Sequence, residues 1–402
     1  MKVAIFISGF KKDNIRALPW KYAYEISKGL SYSGHDTYIL TNTNEQNSWT
    51  LFETNHETPV ISYYSFLRLG LKSLSGIIKH LKPDVIYYFS PPIGSLELKY
   101  LTSRKLIIHV GNNIQSMAAF LRSYGISFNM LSPSNTVYNL LRHSVKLAKI
   151  YTSLLTRDSI LRYDFVNVTT ESIKESLINI GYRSERIRCF PPVVDDIFLT
   201  YDSARTRNIR ETYNLNDNFV AIYFGAANPR KGVFELITAL PLIKKKIPKF
   251  KLLLLLRPPF VEDFMIKIKK LIIETKCNED VIIIARLIDP LTLIDFLNCS
   301  DVVVLPFKYL DEEPPLTLLE AMALGKAIIT TEISCVKHII GKDRGILLNY
   351  PHPPLIAQAV YSLYRDESKK NFLEKNCKDF ASTTFVSWDY LVQMIESELK
   401  SS

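Results

Sequence analysis

Cysteine is scarce and unpatterned in this chain. Five of 402 residues are cysteine (Cys189, Cys277, Cys299, Cys335 and Cys377), and no two form a CxxC pair. An odd, scattered set excludes a disulfide framework and a zinc ribbon. It suits a reducing compartment in which each thiol serves as a small buried apolar residue. Long hydrophobic runs are missing too. No segment approaches the roughly 20 apolar residues of a membrane span, and the five leucines of "KLLLLLR" (251–257) make only a strand. The opening "MKVAIFISGFKK" has too short an apolar stretch for a secretory leader and reads as a first strand. There is no DxD and no His/Cys cluster, so no metal is expected; Asp195-Asp196 is adjacent rather than alternating and reads as a turn. Helix-turn-helix, zinc-knuckle and RNA-recognition signatures are absent, which leaves nucleic acid without a reader. Short repeats and low-complexity tracts are lacking as well. Acidic residues are in deficit, 40 against 50 lysines and arginines, giving a net charge of +10. That balance favours an anionic partner without choosing among phosphate, nucleic acid and membrane.

What is present is a regular alternation. Hydrophobic residues make up 47% and charged residues 22%, the balance of a folded globular protein. Apolar runs occur at 2–8, 36–41, 84–89, 105–110, 164–168, 219–224, 251–256, 281–285, 301–306, 327–330 and 345–348, with helical periods between most of them. Continuous apolar strands joined by helices predict parallel sheets covered on both faces, an α/β class. The length predicts two domains. The prolines and polar residues after Pro191 break the rhythm before a fresh βαβ unit starts at Phe219. The division expected is 1–200, 201–380, and a terminal helix over 381–402.

Segment 136–157 has a long helical pattern. Val137, Leu141, Val145, Ala148 and Leu155 keep one face, and Arg142, Lys146 and Lys149 fall on another. It reads as an amphipathic surface helix or, more sharply, as a contact for anionic lipid.

The stretch "DEEPPLTLLEAMALGKAIITTEI" (311–333) carries the first chemical signal. Pro315 suits the first helical position, so the amides of Leu316, Thr317 and Leu318 should be free donors. A helix start after a parallel strand is an anion site at the strands' carboxyl ends, and Gly325 should close the helix. Glu320 is the lone charge in a near-wholly apolar helix. A buried carboxylate requires a partner, either a structural lysine or arginine or the hydroxyls of a ligand. Glu312, eight residues earlier, can project into the same crevice, with Asp311 and Glu313 beside it expected to be solvated.

The second signal is "VAIYFGAANPRKGVFELITAL" (220–240): strand, Gly225 turn, basic pair, helix. Arg230 and Lys231 near a helix start oppose the helix dipole. The placement makes sense if they face a ligand anion; otherwise they form an exposed basic loop.

In order along the chain, the Glu312–Glu320 pair, "AMALGKAIITT" and the upstream "PRKG" resemble a retaining glycosyltransferase of the GT-B fold, family 4 type (group 1). "KGLSYSGHDTYILT", "RKLIIHVGNN", "VTTESIKESLINIGYRSERIRCFPPVVDDIF" and "FVSWD" are similar to further family segments, so the likeness covers most of the chain. It implies two Rossmann-like, doubly wound parallel-sheet domains facing across a cleft. The first would bind acceptor and the second nucleotide-sugar, with the terminal helix crossing back to the first. It implies hexosyl transfer with retention from a UDP-, GDP- or ADP-sugar to a glycan or lipid-linked acceptor, with no cofactor and no metal. Localisation would be cytoplasmic, with the 136–157 helix on the membrane face. By the same likeness His109 and Glu312 are catalytic, set against the donor sugar. Lys231, Arg230 and the amides around Leu316 and Thr317 take the diphosphate beside Gly225. Glu320 takes the ribose, and Leu287 lies by the base.

The chain also departs from that pattern. Ala226 stands where the family often has an arginine, so Arg230 or Arg257 would substitute. Glu313-Pro314-Pro315 replaces a glycine-rich stretch, His338 replaces a glutamate, and "SGFKKDN" (8–14) lacks paired glycines. These departures keep two other readings open: a non-catalytic nucleotide-sugar-binding subunit, and another GT-B enzyme such as an epimerase or phosphorylase.

Overall fold

The structure, a computed structural model, describes every residue except 8, 12–14, 16, 43–48, 54–55, 64–75, 90–104, 112–163, 180–181, 202–208, 259, 261, 311 and 401–402. The 136–157 pattern and Asp311 therefore lie outside the described residues. The chain divides into two compact units. One holds the described residues up to Pro191 together with those from Val386 on; the other runs from Pro192 to Phe385.

The first unit is built on β1 (Lys2–Ile7), β2 (Asp36–Asn42), β3 (Trp49–Glu53), β4 (His56–Tyr63), β5 (Val85–Phe89), β6 (Lys105–Val110), β7 (Phe165–Val168) and β8 (Ile187–Cys189). Their order in the sheet is β3-β4-β2-β1-β5-β6-β7-β8. Every neighbouring pair is parallel except β3 with β4. β1, β5 and β6 are buried along nearly their whole length, as apolar runs without alternation require. β3, β4 and β8 did not stand out in the sequence. "WTLFE" and "HETPVISY" mix polar and apolar residues, the pattern of strands at a sheet margin rather than at its centre.

The terminal helix Trp388–Lys400 packs within this unit against the helix Trp20–Tyr32. Gly29 permits the approach, since a Cβ there would meet Val392 Cγ2 at 2.6 Å. The Trp388 and Tyr22 rings meet edge-on at 4.9 Å. Lys105 Nζ donates to the Glu398 carbonyl at 2.5 Å, and His35 Nε2 lies 3.2 Å from Glu396 Oε1.

The second unit is built on β9 (Phe219–Ala226), β10 (Phe250–Arg257), β11 (Val281–Ala285), β12 (Val302–Leu305), β13 (Ile328–Thr331) and β14 (Ile346–Leu348), all parallel, in the order β11-β10-β9-β12-β13-β14. This is the 3-2-1-4-5-6 order of a doubly wound sheet, whose winding reverses between β9 and β12. The connections leaving those two strands diverge to opposite faces, and a crevice opens at their carboxyl ends. Val194 and Phe198 are fully buried in this unit's core. The chain thus changes unit at Pro191–Pro192, ahead of the 200/201 division read from the sequence. Among the described residues no helix is long and apolar enough to cross a membrane.

Candidate functional site

The loops after β9 and β12 carry most of the residues singled out in the sequence, and the fold brings them together. After β9 the chain passes through Asn228 into a single 3₁₀ turn, Pro229–Lys231. The Asn228 side chain caps it, accepting from the Arg230 amide at 3.0 Å. Gly232 follows in the left-handed region, φ 78°, and opens the helix Val233–Lys246. A Cβ at Gly232 would lie 1.8 Å from the Pro306 carbonyl oxygen, so this turn rests directly on the end of β12. The Arg230 carbonyl accepts from the amides of Lys308 (2.9 Å) and Tyr309 (3.1 Å). Lys308 Nζ pairs with Glu235 at 2.8 Å. The basic pair lies over aromatic rings of the loop after β12: Lys231 Nζ is 5.3 Å from the Phe307 ring and the Arg230 guanidinium 5.7 Å from the Tyr309 ring. These cation–π contacts hold both charges at the mouth of the crevice.

The helix Leu316–Ala323 completes this wall. Pro315 is extended (φ −68°, ψ 120°) and occupies the cap rather than the first helical position. Its carbonyl accepts from the Leu318 amide at 2.9 Å. Of the three donors expected, Leu318 is therefore used internally, and those of Leu316 and Thr317 remain at the helix mouth. Gly225, φ 132°, abuts that mouth, with a Cβ there meeting Thr317 Cγ2 at 3.2 Å. Gly325, φ 66°, ends the helix as the sequence predicts.

The carboxylates are the main correction to the sequence reading. Glu320, expected to be buried, is half-buried, as is Glu312. Glu313, expected to be solvated, is 1% exposed. Local sequence placed Glu320 in an apolar helix, but it stays half-open there, close enough to Arg257 at the end of β10 for the two charges to interact. Glu313 is covered by the helix Ser334–Ile340, whose first hydroxyl, Ser334 Oγ, donates to Glu313 Oε1. Burial, then Glu313, push the Cys335 thiol well above its ordinary range, and Lys231 acts the other way. Lys231, Glu313 and Cys335 thus share one electrostatic environment. No sequence signal marked Glu313 or Ser334, because what buries them comes from another segment.

The remaining positions fall differently. Leu287, two residues beyond β11, is 55% exposed. His338 is exposed. His109, expected beside a donor sugar, is 2% exposed inside the first unit. Its ring is enclosed by Phe89 (4.6 Å) and Tyr22 (4.8 Å), and Nδ1 meets the Tyr87 hydroxyl at 3.2 Å. Tyr87 in turn accepts from Asn167 Nδ2 at 3.0 Å. Burial lowers the His109 pKa to about 3, so the ring is neutral in the folded chain at ordinary pH. Its Nε2 finds no partner among the described residues.

Taken together, the second unit presents a lysine, an arginine, two helix-start amides and a half-buried carboxylate at its topological switch point. Such a set takes a phosphorylated ligand: cations and N–H groups for phosphate, a carboxylate for hydroxyls. Among the described residues no group of three or more His, Cys, Asp or Glu side chains is gathered that could hold a metal ion.

Comparisons with known proteins agree in direction. The family described as "Glycosyl transferases group 1" matches residues 205–380, and "Glycosyltransferase Family 4" matches residues 20–197. A Staphylococcus aureus protein described as the capsular polysaccharide biosynthesis glycosyltransferase CapM is 28% identical over 200 residues, 48% of this chain and 50% of that protein. The match thus spans about half the length of that relative. Among solved structures, sucrose-phosphate synthase from Thermosynechococcus elongatus superposes with a TM-score of 0.75 at 16% identity, covering 99% of this chain and 98% of that one. Anabaena HepE in complex with UDP-glucose superposes with a TM-score of 0.74 at 16% identity over the whole of both chains. These two likenesses speak to the fold.

Proposed function

The chain belongs to the group 1, family 4 glycosyltransferases with a GT-B fold, and on that premise we propose that it moves a sugar from a nucleotide-sugar to a glycan or lipid-linked acceptor. The observation that carries this reading is the contact of the Pro229–Gly232 turn with the end of β12, with Lys231 and Arg230 lying over Phe307 and Tyr309 of the loop that leads to the Leu316–Ala323 helix. Negative charge develops on the nucleoside diphosphate as the glycosidic bond breaks. Donors already fixed where that charge appears lower the barrier without reorganising. In this scheme Lys231, an arginine (Arg230 or Arg257) and the Leu316 and Thr317 amides take the leaving group, so no metal is needed. Glu320 accepts from the ribose hydroxyls, Glu312 lies against the donor sugar, and Leu287 offers an apolar surface to the base.

The acceptor hydroxyl attacks from the face the leaving group departs, giving retention. The scheme assigns no residue as a covalent nucleophile. The S. aureus relative's role in polysaccharide synthesis supports a glycan acceptor, and the UDP-glucose complex of HepE supports a UDP-sugar. A cytoplasmic location, with segment 136–157 resting on the membrane, goes with a lipid-linked acceptor and rests on the charge pattern of that segment alone.

The test is a panel of UDP-, GDP- and ADP-sugars, read first by thermal stabilisation and then by product. A ligand that binds only the folded state adds roughly 2.7 kcal/mol at a hundred times its Kd. Transfer with an anomeric coupling unchanged from the donor, and undiminished by EDTA, supports the full scheme. The burial of His109 favours one second reading, a nucleotide-sugar-binding subunit without turnover. Stabilisation by a nucleotide-sugar with no product on any glycan or lipid acceptor would move the conclusion there.

A further inference from the structure

β10 ends in an arginine beside the end of β9. The parallel ladder sets Arg257 opposite Ala226 and Leu256 opposite Gly225. Gly225 in turn abuts Thr317 at the mouth of the Leu316–Ala323 helix. Glu320 lies three residues beyond Thr317, on the same face of that helix. Arg257, the helix mouth and Glu320 therefore converge on one corner at the strands' carboxyl ends. Burial lowers the Arg257 pKa, and the Glu320 carboxylate is the first influence opposing it. The Tyr223 hydroxyl donates to the Ala226 carbonyl at 3.1 Å and so holds the end of β9 in place.

Arg230, the other candidate, is tied into its own turn. Its amide and its Nε both donate to Asn228 Oδ1, at 3.0 and 3.4 Å, and its guanidinium covers the Tyr309 ring. Committing it fully to a ligand would unmake these contacts.

We infer that Arg257, delivered from β10, is the second cation of the diphosphate site, Lys231 being the first. The inference rests on the donor-site reading above. A guanidinium presents a planar fork of N–H donors that grips two phosphate oxygens at once, which an ammonium cannot do. Without nucleotide the fork offsets Glu320. With nucleotide it turns to phosphate and leaves Glu320 to the ribose hydroxyls.

Isothermal titration of UDP, GDP and ADP, with their monophosphates, into wild type, Lys231→Ala, Arg257→Ala and the Ala226→Arg/Arg257→Ala double variant tests it. The diphosphate that binds wild type should bind Arg257→Ala roughly 10- to 100-fold more weakly, the loss expected of a charged hydrogen-bond pair. The monophosphate should lose less, and the double variant should recover most of the affinity. Diphosphate affinity unchanged in Arg257→Ala but lost in Lys231→Ala overturns this assignment and leaves the donor site standing. If no nucleoside diphosphate binds wild type, the donor-site reading fails and takes the inference with it. Should Arg257→Ala fail to fold, Arg257→Gln decides, and an unchanged affinity there overturns the proposal.

Discussion

Gly232 rests on Pro306 so closely that a Cβ on the glycine would lie 1.8 Å from the proline's carbonyl oxygen. That contact joins the β9 loop to the end of β12 and thereby joins the basic pair to the acidic loop. Gly232→Ala meets both a backbone clash and a positive φ, so one of the two loops must move. The expected loss is several kcal/mol of stability in the second unit, against about 1 kcal/mol for Gly34→Ala, where φ is also positive but nothing lies within 4 Å. Comparing denaturant midpoints of the two variants checks this, and equal midpoints would count against the packing described.

Lys231→Ala removes the ammonium from the crevice without disturbing the turn, whose cap is Asn228. Thermal stabilisation by the nucleotide-sugar that protects wild type should vanish, and turnover should fall about 10²- to 10³-fold. A variant protected as well as wild type would remove Lys231 from the donor site.

The buried Glu313 and the half-buried Ser334 form a pair that anchors the acidic loop to the following helix. Ser334→Ala deprives a buried carboxylate of one donor and should cost about 1–3 kcal/mol. Glu313→Gln can still accept from the hydroxyl and should cost less than Glu313→Ala. Melting curves of the three variants give the order, and a neutral Ser334→Ala would contradict it.

His109 predicts acid sensitivity of the first unit. Its folded pKa, about 3, lies below the unfolded value of about 6.5. Between these values the unfolded chain binds the extra proton, so stability rises with pH across that window and is lost as pH falls through it. The full effect is on the order of several kcal/mol. Tryptophan fluorescence, which reports Trp388 beside Tyr22, should show an acid limb in wild type that flattens in His109→Gln. Parallel limbs would mean the ring is not buried neutral.

The strands were largely legible because parallel strands covered on both faces must be apolar throughout, and such runs stand out at β1, β5, β6, β9, β10 and β12. Glycine spoke as clearly: Gly325 ended its helix where expected, for a positive φ needs no partner to be recognised. The site was legible in its members, a lysine and an arginine after one strand and a carboxylate pair after another.

Which carboxylate is buried was not legible. Glu313 is buried more deeply than Glu320, the reverse of what their neighbours in sequence suggest, because burial depends on the segment laid over a residue, here the Ser334 helix. His109 is enclosed for the same reason, by Tyr22 and Phe89 from other elements. The missing arginine is a third case. Along the chain Ala226 and Arg257 are far apart, and only the register of β9 with β10 makes them neighbours. The sequence by itself determined the strands, the turns and the chemical types at the crevice, since these follow from backbone preference and hydrophobic pattern within a few residues. The tertiary structure alone decided which charges meet and which are sealed from water, since pairing and desolvation act between segments that the chain brings together only on folding.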